Sequence, residues 1–163
     1  MNKIPIRYLP KNLSRKDKKK QLNMLMRSRK MYKTQKYYTR KRISSFKSKP
    51  SNHVINARKT YKVENIKPSL QLAKATGCSI EALQKIVKKG EGAYFSSGSR
   101  PNQTAHSWGY ARLASSLTGG KAAAVDFKII EEGCNHKKRA YILANRARKQ
   151  YGHGQGKTRK INI

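Results

Sequence analysis

Apolar positions recur at helical spacing through the second half of this chain and thin out toward its ends. Leu72, Ala73, Ala75, Ile80, Leu83, Ile86 and Val87 predict two short helices in tandem. Ser69 caps the first and Gly77 stops it. Ser79 caps the second, IEALQKIVKK, and Gly90 ends it. A third helix is expected from Ala105 to about Leu117, capped by Thr104 and terminated by Gly119-Gly120. Trp108, Ala111, Leu113, Ala114 and Leu117 form its inner face, and Trp108 is the expected main core anchor. Lys121 to Val125 reads as a link to Asp126, which caps a short helix, FKIIEEG, with Phe127, Ile129 and Ile130 inward. A last helix spans His136 to Tyr151, with Tyr141, Ile142, Leu143 and Ala147 as its apolar side.

The flanks have a different pattern. Residues 1–12 read as an extended arm, broken by Pro5 and Pro10 and anchored by Ile4, Ile6, Tyr8 and Leu9. Ser14 is a good N-cap, with Asp17 in the first turn of a helix running from Arg15 to about Lys33. The apolar stripe of that helix, Leu22, Met24, Leu25, Met26 and Met31, is narrow. Residues 51–68 offer a short helix around Val54 and Ile55 and an extended segment carrying Tyr61, Val63 and Ile66, ended by Pro68. The tail GHGQGKTRKINI is flexible by composition, and no strand is expected anywhere. The fold class is therefore all-α. A small helical domain covers residues 69–151, a long basic extended N-terminal arm with one helix covers 1–68, and a basic tail covers 152–163.

Charge changes the picture most. The 163 residues include 39 Lys or Arg against 7 Asp or Glu, a formal net charge of +32. Self-repulsion at that charge opposes compaction unless an acidic partner supplies counter-charge. Nucleic acid, an acidic protein or an anionic membrane surface would serve. No apolar run approaches the roughly 20 residues needed to span a bilayer, and the N-terminus lacks the apolar region of a signal peptide. Two cysteines, Cys78 and Cys134, are too few for a disulfide framework and fit a reducing compartment.

Candidate chemistry is concentrated in the basic segments. Lys18, Lys19 and Lys20 begin the first helix, and residues 32–50 interleave bases with Tyr32, Tyr37, Tyr38 and Phe46. Tyr37, Tyr38, Arg40, Lys41 and Arg42 are candidate nucleic-acid contacts there, with aromatics for stacking and cations for phosphate. The alternative for those aromatics is docking on the protein's own core. SSGSR, ending at Arg100, has the groups to hold a phosphate but also suits a tight turn closed by Arg100-Pro101-Asn102. Cys134 and His136 with Cys78 and one of His53, His106 or His153 lack the paired close spacings of structural zinc. No nucleophile elbow, Walker pattern or carboxylate cluster is present. The expectation is a non-enzymatic protein without cofactor or metal.

Two resemblances add to this reading. The Ser69–Gly90 stretch is similar to the helix-turn-helix of bacterial and phage repressors. Ala73 matches the small residue at the helix crossing, Gly77 the turn glycine, and Leu83 and Ile86 the buried positions. That likeness implies that Ser79, Glu81, Ala82, Gln84, Lys85 and Lys88 face the major groove. The run GEGAYFSSGSRPNQTAHSWGYARLASSLTGGKAAAVD resembles a family of small, very basic proteins of large DNA viruses of eukaryotes. LPKNLSRKDKKKQ, KYYTRKR, FKSKPSNHVINARK and ATGCSIEALQKIVKKG extend the resemblance. It implies a viral origin and a place in the virion, and it carries over no catalytic residues. The expected function is a minor capsid or internal virion component. Its basic arms would bind capsid neighbours and packaged DNA, after passage through host cytoplasm or nucleus during assembly. A helix-turn-helix regulator or packaging factor is the alternative.

Overall fold

Ser14 accepts a hydrogen bond from the Asp17 amide at 3.1 Å and starts the longest helix, α1 (Arg15–Lys33). The computed structural model describes residues 3–152 and 158–163. Seven further helices follow among them: α2 (Asn52–Tyr61), α3 (Leu70–Thr76), α4 (Ile80–Ser96), α5 (Ala105–Leu117), α6 (Lys121–Val125), α7 (Phe127–Gly133) and α8 (Arg139–Tyr151). Two short strands, β1 (Lys3–Pro5) and β2 (Lys160–Asn162), and one 3-10 turn, Ile6–Tyr8, are the other elements among the described residues. The protein is thus mostly helical. No helix is long and apolar enough to cross a membrane, among the described residues.

The chain divides into two units. A terminal unit gathers residues 3–49, 91–108 and 158–163, and an inserted unit gathers 50–90 and 109–152. The boundaries fall inside α4 and α5, so each of those helices contributes to both units.

In the terminal unit, β1 pairs antiparallel with β2, Ile4 opposite Ile161. This overturns the expectation of no strand, because the apolar Ile161 gives the last residues something to bury. Part of the tail expected to be flexible, residues 153–157 with His153, lies outside the described residues. Residues 3–5 are extended as expected, and the chain then turns through a short 3-10 helix, Ile6–Tyr8. Ile4, Tyr8 and Leu9 are buried with Leu25 of α1, and Trp108 packs half-buried against them, edge-on to Tyr8 at 6.0 Å. Trp108 therefore flanks a small cluster. Tyr94 is the larger fully buried side chain of this unit. A second cluster, Leu13, Met24 and Ile43, has Tyr38 and Phe46 against it. Asn102 fixes the loop beside it. Its side chain accepts from the Ile43 amide at 2.6 Å and donates to the Ile43 and Phe46 carbonyls.

The inserted unit holds the larger core, with Tyr61, Leu72, Leu83, Ile86, Leu113 and Ile130 among its buried residues. Ser69 caps α3 through the Leu72 amide, and Gly77 ends it with φ of 77°, the left-handed region that glycine favours. The Tyr61 hydroxyl donates to the Leu117 carbonyl. Burial pushes the Tyr61 phenol well above its ordinary range.

Gly90 does not end α4, contrary to expectation. A Cβ there would lie 2.6 Å from the Gly109 Cα, so the glycine permits a close helix–helix approach and the helix runs on to Ser96. Lys121–Val125 is helical rather than a link. The last helix starts at Arg139 and buries Ala140, Ala144 and Ala147, while Ile142 is exposed. The alanines win because their shallow surface lets the helix sit close on its neighbours. Asp126 makes no side-chain cap for α7. Its carboxylate is buried and accepts from Arg112 at 2.8 and 2.9 Å and from the Ser116 hydroxyl at 3.1 Å, with Lys89 at 3.3 Å.

The cysteines correct the sequence expectation directly. Cys78, in the turn before α4, is joined to Cys134, just after α7, by a disulfide. The two residues form an antiparallel bridge flanked by Ser79 amide to Gly133 carbonyl and Asn135 amide to Gly77 carbonyl bonds, both 2.8 Å. Sequence spacing gives no hint of this, because the bridge spans 56 residues.

Candidate nucleic-acid interface

The terminal unit carries 21 Lys or Arg among its described residues, against two acids, Asp17 and Glu91. Both acids are engaged locally. Asp17 is buried, and its carboxylate accepts from the Ser45 amide at 2.9 Å and the Ser44 hydroxyl at 3.4 Å. Hydrogen bonding from Ser45, through its hydroxyl and its amide, holds this carboxyl below its ordinary range. Glu91 meets His106 Nδ1 at 3.0 Å. What remains outward is a field of one sign, of the kind that concentrates polyanions.

Lys18, Lys19 and Lys20 are exposed on α1, with the Lys20 ammonium donating to the Arg42 carbonyl at 3.1 Å. Lys41, Arg42 and Arg100 are exposed as well. These six can meet phosphate.

Arg40 cannot, which corrects its assignment as a contact. It is buried, and its guanidinium donates to the Ser28 hydroxyl at 2.9 Å, the Tyr94 carbonyl at 2.8 Å and the Ser99 hydroxyl at 2.8 Å. It also lies over the Tyr94 ring at 3.8 Å. Desolvation lowers its pKa, yet neutral acceptors and an aromatic face satisfy the charge without a carboxylate. Ser99 is thereby taken from the SSGSR phosphate reading. It accepts from Arg40 and donates to the Arg100 carbonyl at 2.8 Å, which supports the tight-turn alternative.

The two candidate tyrosines separate. Tyr38 packs on the Leu13 cluster and is covered by the Arg27 guanidinium at 4.5 Å. Tyr37 is 68% exposed. It reaches the surface through the end of α1. Gln35 takes the left-handed conformation, φ 59°, while the Gln35 amide bonds the Tyr32 carbonyl and the Lys36 amide the Met31 carbonyl. This is the paired bonding that commonly closes a helix, and it turns Tyr37 back beside Tyr32.

In the inserted unit, Gln84, Lys85 and Lys88 are exposed along α4. The first turn of that helix is less open than the repressor likeness implies. Ala82 is buried, and a Cβ on Gly133 would lie 2.4 Å from its own. Ser79 spends its hydroxyl on the Ala82 amide and its amide on Gly133. Glu81 and Glu132 rim the shallow groove between α4 and α7. A helix entering a major groove leads with its N-terminal residues. Here α7 covers that end, and two carboxylates would face phosphate.

Cys78 and Cys134 are bonded to each other, so the mixed cysteine–histidine ligand set does not assemble. His136 stacks on Tyr141 at 3.9 Å. Among the described residues no group of three or more His, Cys, Asp or Glu is placed to hold a metal ion.

Sequence reasoning missed Phe95. Tyr94 and Phe95 are adjacent and both aromatic, and only the structure shows that one is the buried support and the other partly open.

Residues 5–133 match the model of a family of unknown function (DUF5824). No curated protein and no solved structure matches the chain.

Proposed function

The chain belongs to the DUF5824 family, and we propose that it is a non-enzymatic structural protein of a virion. In this reading it is a minor capsid or internal component that meets packaged DNA and acidic neighbours through its basic surface. The observation that carries the reading is the single-sign exterior of the terminal unit, whose two acids are both engaged locally. The virion setting rests on the likeness of the Gly90–Asp126 stretch to proteins of large DNA viruses. Long basic arms are not required for this mechanism, since α1 and the 41–49 loop display cations from a folded support. The regulator alternative is less favoured, because α7 covers the first turn of α4.

Binding of this kind neutralises phosphates and releases counterions. Affinity for duplex DNA should fall steeply with salt and vary little with sequence. Gel shifts at rising salt measure it, and binding that ignores salt would sink the DNA part of the proposal. The virion part has its own test. Quantitative mass spectrometry of purified particles should find the protein in fixed stoichiometry. Its absence would refute a structural role. Loss with the DNA after nuclease treatment of opened particles would make it a genome-condensing protein, and retention a shell component.

A further inference from the structure

We propose that Tyr37, with Phe95 and Tyr32, forms a stacking platform for unpaired bases, so that the protein prefers single-stranded nucleic acid to duplex. This inference rests on the nucleic-acid reading above and narrows it to a substrate class.

The geometry is that of a built surface. Tyr37 lies 5.1 Å from Phe95 and 6.2 Å from Tyr32 between ring centroids, tilted by 55° and 57°. Tilted neighbours brace a ring from its sides and leave a face to solvent, in keeping with its exposure. Three clustered aromatics at a surface are worth explaining in a way that one is not.

Their support is rigid. The Phe95 ring stands edge-on to buried Tyr94 at 5.0 Å, and the Ser28 hydroxyl donates to the Phe95 carbonyl at 3.1 Å. Arg40 ties Ser28 and Tyr94 together from below. The turn at Gln35 fixes Tyr37 against Tyr32. Little order remains to be acquired on binding, which favours affinity.

Cations complete the site. Lys30, Lys33 and Lys36 are all exposed, on the last turns of α1 and in the turn that follows. A platform with cations beside it is the arrangement that takes single strands, bases on the rings and backbone on the lysines. A duplex offers only phosphate here, because its base faces are already stacked on one another. An acidic protein would need the lysines and leave the rings unused.

The test uses the full chain, with fluorescence anisotropy against labelled oligothymidylate and a duplex of equal length. Wild type should bind oligothymidylate more tightly. Tyr37→Ala should weaken that binding roughly ten-fold, the scale of one lost base stack, and leave duplex binding unchanged. Tyr37→Phe should restore it. Trp108 fluorescence checks that the terminal unit stays folded, since Trp108 packs against its core. Equal or stronger binding of duplex by wild type, or a Tyr37→Ala variant that loses nothing on oligothymidylate, overturns the platform while leaving the phosphate reading intact. Heparin binding weakened as much by Tyr37→Ala would also overturn it, since heparin has no bases and the site would then be one for acidic chains. Failure to bind either nucleic acid overturns both.

Discussion

A Cys78→Ser, Cys134→Ser double variant should melt far below the oxidised protein, by roughly 15–30 °C for a unit of this size. The bridge closes a loop with 56 residues of sequence separation. Chain-entropy reasoning assigns about 4 kcal/mol to a closure of that length. The cost falls on a unit whose 17 Lys or Arg against five acids already oppose compaction. Differential scanning calorimetry of the variant, and of wild type with and without reductant, measures the effect. Reduced wild type should match the variant. If both melt with oxidised wild type, the crosslink does not constrain the unfolded chain and the packing of α7 on α4 holds the unit by itself.

Asp126→Asn should cost about 3–5 kcal/mol, the usual penalty for removing one partner of a buried ion pair. The substitution keeps the shape and removes the charge. Arg112 would lose its bidentate anion, Lys89 its nearest carboxylate, and Ser116 a charged acceptor. The sequence has few acids to offer in exchange. Urea denaturation followed by circular dichroism gives the number. A midpoint shift worth less than about 1 kcal/mol would mean that hydrogen bonding alone, which asparagine can imitate, holds the cluster.

Legibility of this fold varied with the range of the forces involved. Ser14, Ser69 and Thr104 act within three residues of themselves, and each caps the helix its position implies. The end of α1 at Lys33 was readable for the same reason. Gly90 misled, because a glycine that lets two helices touch looks identical in sequence to one that ends a helix. The β1–β2 pair and the Cys78–Cys134 bond join residues far apart in the chain, and no local pattern announces them. Among the candidate contacts, the exposure of cations such as Lys18 and Lys19 was legible because a charge without a buried partner goes outward. Arg40 was not, since its acceptors Ser28, Tyr94 and Ser99 come from three separate segments. The same separation hid Phe95 as the neighbour of Tyr37.

The pairing of β1 with β2 also bears on how the protein is made. Residues 3–5 are synthesised before the inserted unit, and the strand that pairs with them, 160–162, after it. The inserted unit has its own described residues in place before residue 158 is added. Until β2 is made, Ile4 lacks its cross-strand partner Ile161. The terminal unit's closing contact, Lys3 opposite Asn162, has a very large sequence separation, which predicts slow completion. Released chains truncated after residue 157 should therefore show a protected inserted unit and a protease-sensitive first 49 residues.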